Sequence, residues 1–292
     1  MKKVFVIVGP TAVGKTSLSV EIANRYNAEI ISGDSVQVYK GLDIGSAKIK
    51  PEEMKGVTHH LIGILEPNEP YDVSKFQTHA RGLIKKIDKP LIVGGTGLYI
   101  KACLDDYDFS GEGRSLAFES MYDNYTNEAL HDLLLTKDKE AAEKIHPNNR
   151  RRVLRALSLA DDVKRSDRKN KDKPLYDYEI FYLTLPREIL YKRINERVDE
   201  MIKEGLVQEV KTLKEKGYTF NIIGYREINE YLDGLYTLEE AILEIKKVTR
   251  RFAKRQETFF KNQMNAHIIY NDNKAFNKII KEMDGYWKWN FI

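Results

Sequence analysis

The chain has 292 residues, 42% of them hydrophobic and 32% charged, which is the make-up of an ordinary globular protein with room for a full core and a second small domain. Its single cysteine, Cys103, excludes a disulfide framework and a cysteine-built zinc site, and points to a reducing, cytoplasmic setting. No stretch reaches the ~20 apolar residues of a membrane helix. The net charge of +4 hides a segregation: residues 104–143 hold 11 acidic and three basic side chains, so the rest of the chain stands near +12. Such asymmetry suggests a polyanionic partner met by particular faces.

The N-terminus, MKKVFVIVGP, is basic and then apolar. Its apolar run is too short for a signal peptide and leads straight into a Gly-rich turn, so Val4–Val8 reads as a first strand. The turn, Gly9-Pro10-Thr11-Ala12-Val13-Gly14-Lys15-Thr16, fits G-x-x-x-x-G-K-[ST] at every fixed position. Gly9 and Gly14 allow a tight turn that converges backbone N–H groups on phosphate oxygens. Lys15 adds positive charge, the Thr16 hydroxyl can ligate Mg²⁺, and the following helix aims its positive end at the same anion. The pattern means phosphate or pyrophosphate; it does not specify ATP or hydrolysis.

A helix follows over 17–27, with Leu18, Ile22 and Tyr26 on one face, and then a short strand, Glu29-Ile30-Ile31. Ser32-Gly33-Asp34-Ser35 leaves that strand's C-terminal end, the edge where parallel α/β sheets bind ligands, so Asp34 should face the same crevice as the loop. After a polar segment that includes His59-His60, Asp72 can cap a helix over 73–87 with Phe76, Ala80, Leu83, Ile84 and Ile87 as its stripe. Leu91-Ile92-Val93 is a third strand, ending in Gly94-Gly95-Thr96-Gly97 before an apolar helix that buries Cys103. These elements predict an α/β fold, a P-loop parallel sheet flanked by helices.

From Asp105 the pattern turns helical, over 127–135 and 139–145, into the basic run Arg150-Arg151-Arg152-Val153-Leu154-Arg155. The charged stretch 164–173 reads as a solvated loop. Phe181–Leu185 reads as a strand returning to the sheet; 188–216 is helical with a break near Gly205; Asn221–Arg226 is a Gly-containing corner; and 238–261 is a long helix. The expected domains are 1–108 and 176–292 as the two parts of the core, with 109–175 a small all-helical insertion.

Asp34 is the most informative carboxylate: beside a phosphate loop it can ligate Mg²⁺, act as a general base, or merely cap. In the window KKVTRRFAKRQETFFK (246–261) seven basic residues stand against one acidic. Val248, Phe252 and Phe259 are expected inward, with Lys247, Arg251, Lys254 and Lys261 on another stripe and Arg250 and Arg255 beside it. With 150–155 this makes a candidate phosphate-backbone surface; a solvated face is the alternative. Arg193 and Arg197 lie one turn apart and share a face. His59-His60 has no carboxylate cluster to make a metal site with it. The Asp-Glu-ended apolar run of an ATPase motor is missing, which weakens a motor or helicase reading.

Together GPTAVGKT (9–16), SGDSVQVYKGLDIGSAK (32–48), HHL (59–61), GGTGLY (94–99), HPNNRRRVLRAL (146–157), RINER (193–197), GYRE (224–227) and TRRFAKRQ (249–256) closely resemble the bacterial tRNA dimethylallyltransferases, the tRNA isopentenyltransferases. The matches keep their order from Val4 to Gln256. Gly63 departs from a position where the family often has Asp, the insertion is shorter than in many members, and the eukaryotic members' C-terminal zinc finger is missing. The resemblance implies transfer of a dimethylallyl group from its diphosphate to N6 of the adenosine just 3′ of the anticodon. It implies that Lys15, Thr16, Mg²⁺ and Arg197 stabilise the leaving pyrophosphate, that Asp34 is the general base, and that Thr96 contacts the adenosine. The RNA contacts it implies are Asp34-Ser35-Val36-Gln37, Arg151, Arg152 and Arg155, Gly224-Tyr225-Arg226, and Lys254-Arg255-Gln256, with the insertion clamping the anticodon stem-loop of a tRNA. A monomer is expected. Two rivals remain: a P-loop nucleoside or small-molecule kinase, which leaves the basic faces unused, and a nucleotide-gated RNA-binding protein, which leaves Asp34 without a role.

Overall fold

The protein is seen in a computed structural model that describes residues 1–107, 116–160 and 173–287. The chain divides into two compact units, Met1–Leu104 with Leu175–Ile292, and Asp105–Pro174. Most of the charged stretch 164–173 lies outside the described residues.

The first unit is built on a six-stranded, all-parallel sheet in the order β3-β2-β4-β1-β5-β6. The strands are β1 (Lys3–Val8), β2 (Glu29–Gly33), β3 (His59–His60), β4 (Pro90–Gly94), β5 (Asp177–Thr184) and β6 (His267–Tyr270). Alternation in β1 explains its unbroken apolar run. Phe5 and Ile7 join a core on one face with Leu18, Ile22 and Tyr26 of α1 (Lys15–Tyr26); Val4, Val6 and Val8 join another on the opposite face with Phe76, Ala80 and Ile84 of α3 (Val73–Lys86). A strand covered on both faces has no reason to carry polar side chains. Between α1 and α3 lies a single turn of helix, α2 (Pro51–Met54). Asp72 caps α3, accepting from the Ser74 and Lys75 N–H groups at 3.0 and 2.9 Å. The helix after β4 is α4 (Gly97–Leu104), which buries Ile100, Ala102 and Cys103 but leaves Leu98 exposed.

Within the second unit, α5 (Leu116–Ser120), α6 (Asn127–Lys137), α7 (Lys139–Lys144) and α8 (Arg150–Ala160) enclose a small core of Leu130, Leu134, Ala142, Val153 and Leu157. Its boundary falls at Asp105, four residues before the expected 109.

Back in the first unit, Gly205 takes a left-handed conformation (φ 106°) and splits the long helical stretch into α9 (Arg187–Glu204) and α10 (Leu206–Glu215). They pack with α11 (Tyr225–Leu232) and α12 (Leu238–Gln263) around a third core containing Leu42, Val198, Tyr225 and Ile245. On α12 the most buried positions are Ala241, Ile245, Ala253, Gln256 and Phe260. The expected inward set, Val248, Phe252 and Phe259, is only half-buried, because the helix faces core neighbours one position away from the most apolar stripe. α13 (Ala275–Met283) completes the unit, and Trp287 beyond it packs edge-on against Phe5 at 4.8 Å.

Candidate functional site

Since all six strands run the same way, their C-terminal ends form one rim. β1 opens there into the loop 9–16. Gly14 (φ 91°) is the N-cap of α1 and has no side chain, so the first-turn N–H groups of that helix carry no side-chain cap and face any anion that arrives. Ala12 is held at φ 62°, the kind of local strain that functional loops retain. Lys15 folds back over the loop, donating to the Gly9 and Pro10 carbonyls at 2.8 and 2.7 Å. Burial, reinforced by the nearby Arg197 guanidinium, lowers its pKa to about 7, while Asp34 opposes the shift. Thr16 is exposed, and its hydroxyl makes no hydrogen bond among the described residues.

Asp34, at the end of β2, stands within electrostatic reach of both cations. One oxygen, Oδ1, accepts from the Val36 and Gln37 N–H groups at 2.8 and 3.2 Å. The other has no partner among the described residues. Asp34 therefore caps the next turn with one oxygen and keeps the second free. Thr96, at the end of β4, closes the same corner: its N–H donates to the Gly33 carbonyl at 3.2 Å, and its Oγ1 accepts from the Ser35 N–H at 3.2 Å. Arg197 projects from α9, half-buried, while Arg193 one turn away is exposed. Burial lowers the Arg197 pKa, and Glu53, Glu200, Asp34 and Glu204 counter it. Beside the loop is a cavity of about 40 Å³ lined by Thr16, Ser32, Gln37, His59 and the apolar Ile30, Ile49, Ile62 and Val93, among others.

The remaining candidates divide by what they already touch. Gln256 is 7% exposed and its Nε2 donates to the Gly95 carbonyl at 2.9 Å, while its buried Oε1 has no partner among the described residues. A Cβ on Gly95 would lie 2.3 Å from that amide nitrogen, so any other residue there would push the Gln256 side chain aside. Ser35 and Val36 are half-buried beside Asp34, and Gln37 donates inward to the Ser46 and Ala47 carbonyls at 3.2 Å each. Tyr225 is fully buried and donates to Glu209 at 2.6 Å, so its side chain is committed to the interior. Glu209 in turn accepts from the Asp43, Ile44 and Gly45 N–H groups, binding the loop after β2 to α10. Arg226 pairs with the buried Glu227, whose other oxygen accepts from the Gly224 N–H at 2.7 Å and caps α11.

Of the cations on α12, Lys246 pairs with Asp199, Lys247 with Glu244 and Lys261 with Glu257, and Arg250 donates to Asn195. Arg251, Lys254 and Arg255 remain exposed and without an ion pair among the described residues. In the second unit, Arg151 and Arg152 are exposed on α8 and Arg155 is half-buried; Arg150 is structural, donating to the Tyr122 and Tyr125 carbonyls. His59 and His60 form β3, with His60 bonded to Glu29 at 2.7 Å, and no metal-binding cluster of His, Cys, Asp or Glu occurs among the described residues.

Glu209 and Asn271 are the site-supporting residues that sequence reasoning missed. Asn271, just past β6, donates to the Val13 carbonyl of the loop at 2.6 Å. Neither carries a sequence signal: one is a glutamate in a charged helix, the other an asparagine after a four-residue strand.

Known proteins resemble the chain over nearly its whole length. Residues 37–263 match the model of the IPP transferase family, and residues 2–64 match that of isopentenyl transferase. A tRNA dimethylallyltransferase of Anoxybacillus flavithermus is 45% identical over 99% of this chain and 97% of its own; one of Macrococcus caseolyticus is 50% identical over 89% of this chain and 88% of its own. Among solved structures, a tRNA isopentenylpyrophosphate transferase of Bacillus halodurans superposes with a TM-score of 0.75 at 43% identity, covering 98% of this chain and 96% of that one. A eukaryotic dimethylallyltransferase acting on tRNA gives a TM-score of 0.87 at 27% identity, covering 100% of this chain and 81% of that one.

Proposed function

Because the chain belongs to the IPP transferase family, the tRNA dimethylallyltransferases, we propose that it moves a dimethylallyl group from dimethylallyl diphosphate to N6 of the adenosine at tRNA position 37, giving N6-isopentenyladenosine and diphosphate. The observation that carries this reading is Asp34: a carboxylate with one oxygen free, on the rim that bears an uncapped phosphate loop, coupled electrostatically to Lys15 and Arg197.

The exocyclic amine of adenine is a poor nucleophile because its lone pair is delocalised into the ring. As that lone pair attacks the C1 carbon of the dimethylallyl group, the C1–O bond to the diphosphate breaks, and the proton lost from N6 passes to the free Oδ2 of Asp34. The first-turn N–H groups of α1, Lys15 and Arg197 meet the charge that grows on the departing diphosphate. The oxygen donors here, an unbonded Thr16 hydroxyl and the carboxylate of Asp34, suit a hard divalent cation. Mg²⁺ held by Thr16 and the diphosphate oxygens would supply further charge neutralisation. Thr96 faces the base that enters this corner, and the unpartnered Oε1 of Gln256 is an acceptor available to an incoming N–H. Entry of the base requires that it leave its stack.

For the RNA, the supporting observations narrow the candidate contacts. Arg251, Lys254 and Arg255 on α12 and Arg151, Arg152 and Arg155 on α8 serve the phosphate backbone, with the second unit gripping the anticodon stem-loop. Tyr225 and Gln256 act from the interior, through Glu209 and Gly95. A cytoplasmic monomer is the setting we infer; no helix of the described residues is long and apolar enough to cross a membrane.

Incubation with Mg²⁺, dimethylallyl diphosphate and an unmodified anticodon stem-loop, read by mass spectrometry of the RNA, tests the reading. A gain of one C5H8 unit on a single adenosine is expected. No gain, with ATP consumed when small nucleosides are offered, would favour a kinase instead.

A further inference from the structure

The phosphate loop is held from outside by a residue that no motif includes. β6 runs beside β5 at the edge of the sheet, and the matched family model ends at residue 263, before this strand begins. At its C-terminal end the Asn271 N–H donates to the Thr184 carbonyl at 2.8 Å, which fixes its backbone to β5. Its side chain then reaches across to the loop, where Nδ2 donates to the Val13 carbonyl at 2.6 Å. The approach is close: a Cβ on Gly14 would lie 2.6 Å from that same nitrogen.

The geometry points to Asn271 as the positioning residue that sets the phosphate loop for the diphosphate, an inference that rests on the loop's being the donor site. A trans peptide carries its N–H on the side opposite its C=O, and no peptide bond among the described residues is cis. Fastening the Val13 carbonyl outwards onto Asn271 therefore turns the Gly14 N–H the other way, towards the helix start that receives the anion. Without the amide, the Val13–Gly14 peptide is free to rotate, because Gly14 tolerates many conformations, and the buried Val13 carbonyl loses its donor. Lys15 fastens the opposite limb of the loop at Gly9 and Pro10. The loop is thus held at both ends, once by its own lysine and once by the far edge of the sheet. Asn271 touches neither substrate nor reacting atoms; it acts through one peptide plane.

The test uses inorganic diphosphate with Mg²⁺ as the probe, together with steady-state kinetics and binding of the anticodon stem-loop. Asn271→Leu keeps the side-chain size and removes the donor; Asn271→Asp keeps the shape and sets an acceptor against the Val13 carbonyl. In Asn271→Leu, diphosphate affinity should fall about 10-fold, the size expected when a buried acceptor loses its partner. The KM for dimethylallyl diphosphate should rise by a similar factor, with a larger loss in Asn271→Asp. RNA affinity should stay within about twofold, and the melting temperature should fall only by the few degrees that one unpartnered carbonyl costs. Unchanged diphosphate affinity in both variants would overturn the proposal. So would parallel loss of diphosphate affinity, RNA affinity and thermal stability in both, which would make Asn271 a general packing residue. If the unaltered protein itself failed to bind diphosphate, the donor-site reading would fall, an outcome distinct from either.

Discussion

Lys15 carries two hydrogen bonds to loop carbonyls yet has a pKa near 7, because burial and the Arg197 charge outweigh what those contacts return. A diphosphate bound there, as proposed, would supply the negative charge that the free site lacks and restore the ammonium form. At pH 8, then, donor binding should take up a proton, approaching one per site. Calorimetry in two buffers of different ionisation enthalpy measures this directly; equal heats in both would contradict it. The sign for stability follows from the same shift. Between about 7 and 10.5 the unfolded chain holds a proton that the folded chain has shed, so this group makes the ligand-free protein more stable as pH rises through that window. Cys103 is of another kind: burial pushes its thiol up to about 12, and it is inert core.

The elements around the site show how a helix face is divided between packing and binding. On α12 the sequence displays a basic stripe, but the fold spends several of its members. Lys246 and Arg250 are held by Asp199 and Asn195 of α9, some 50 residues away in the chain. Helical spacing cannot reveal such partners. The members left over make the prediction: removing charge at Arg251, Lys254 and Arg255 should weaken stem-loop binding and reduce the salt slope by about one for each phosphate no longer neutralised, leaving the donor KM unchanged. Lys247→Ala and Lys261→Ala, whose partners lie on the same helix, should do much less. A flat salt dependence across both sets would remove α12 from the RNA interface. Where a signal is local, the sequence was enough. Asp72 before an apolar stripe reads as a cap and is one, so Asp72→Ala should cost about 1 kcal/mol and lower the melting temperature by roughly 2–4 °C.

At the scale of the molecule, three turns visible in the sequence, 9–16, 32–35 and 94–97, reach one rim because β2, β4 and β1 are consecutive neighbours in a parallel sheet. That much was legible, since each apolar run ends in a Gly-rich or polar corner. The edges of the sheet were not. β3 is two histidines inside a polar segment, and β6 is four residues, three of them exposed. Edge strands this short have no alternation to read, so the support that β6 gives the loop through Asn271 was hidden as well. The helical insertion was visible as a change of texture near Asp105. Its termini are neighbours in the first unit, where the Leu175 N–H donates to the Leu104 carbonyl at 2.9 Å. Replacing 105–174 by a short Gly-Ser linker should therefore leave a folded unit that binds diphosphate but holds the stem-loop at least tenfold more weakly. Unchanged RNA affinity would show that the insertion does not grip the substrate.

The free Oδ2 of Asp34 is the proposed base, and Asp34→Asn isolates it. The amide keeps Oδ1 as acceptor for the Val36 and Gln37 N–H groups and loses only the basic site. Single-turnover transfer with saturating stem-loop and dimethylallyl diphosphate, measured beside the affinity for each, is the decisive experiment. Transfer should slow by about 10²–10⁴ while both affinities stay within a few-fold of the unaltered protein. Transfer at an undiminished rate, with RNA affinity lost instead, would assign Asp34 to binding and leave the reaction without its base.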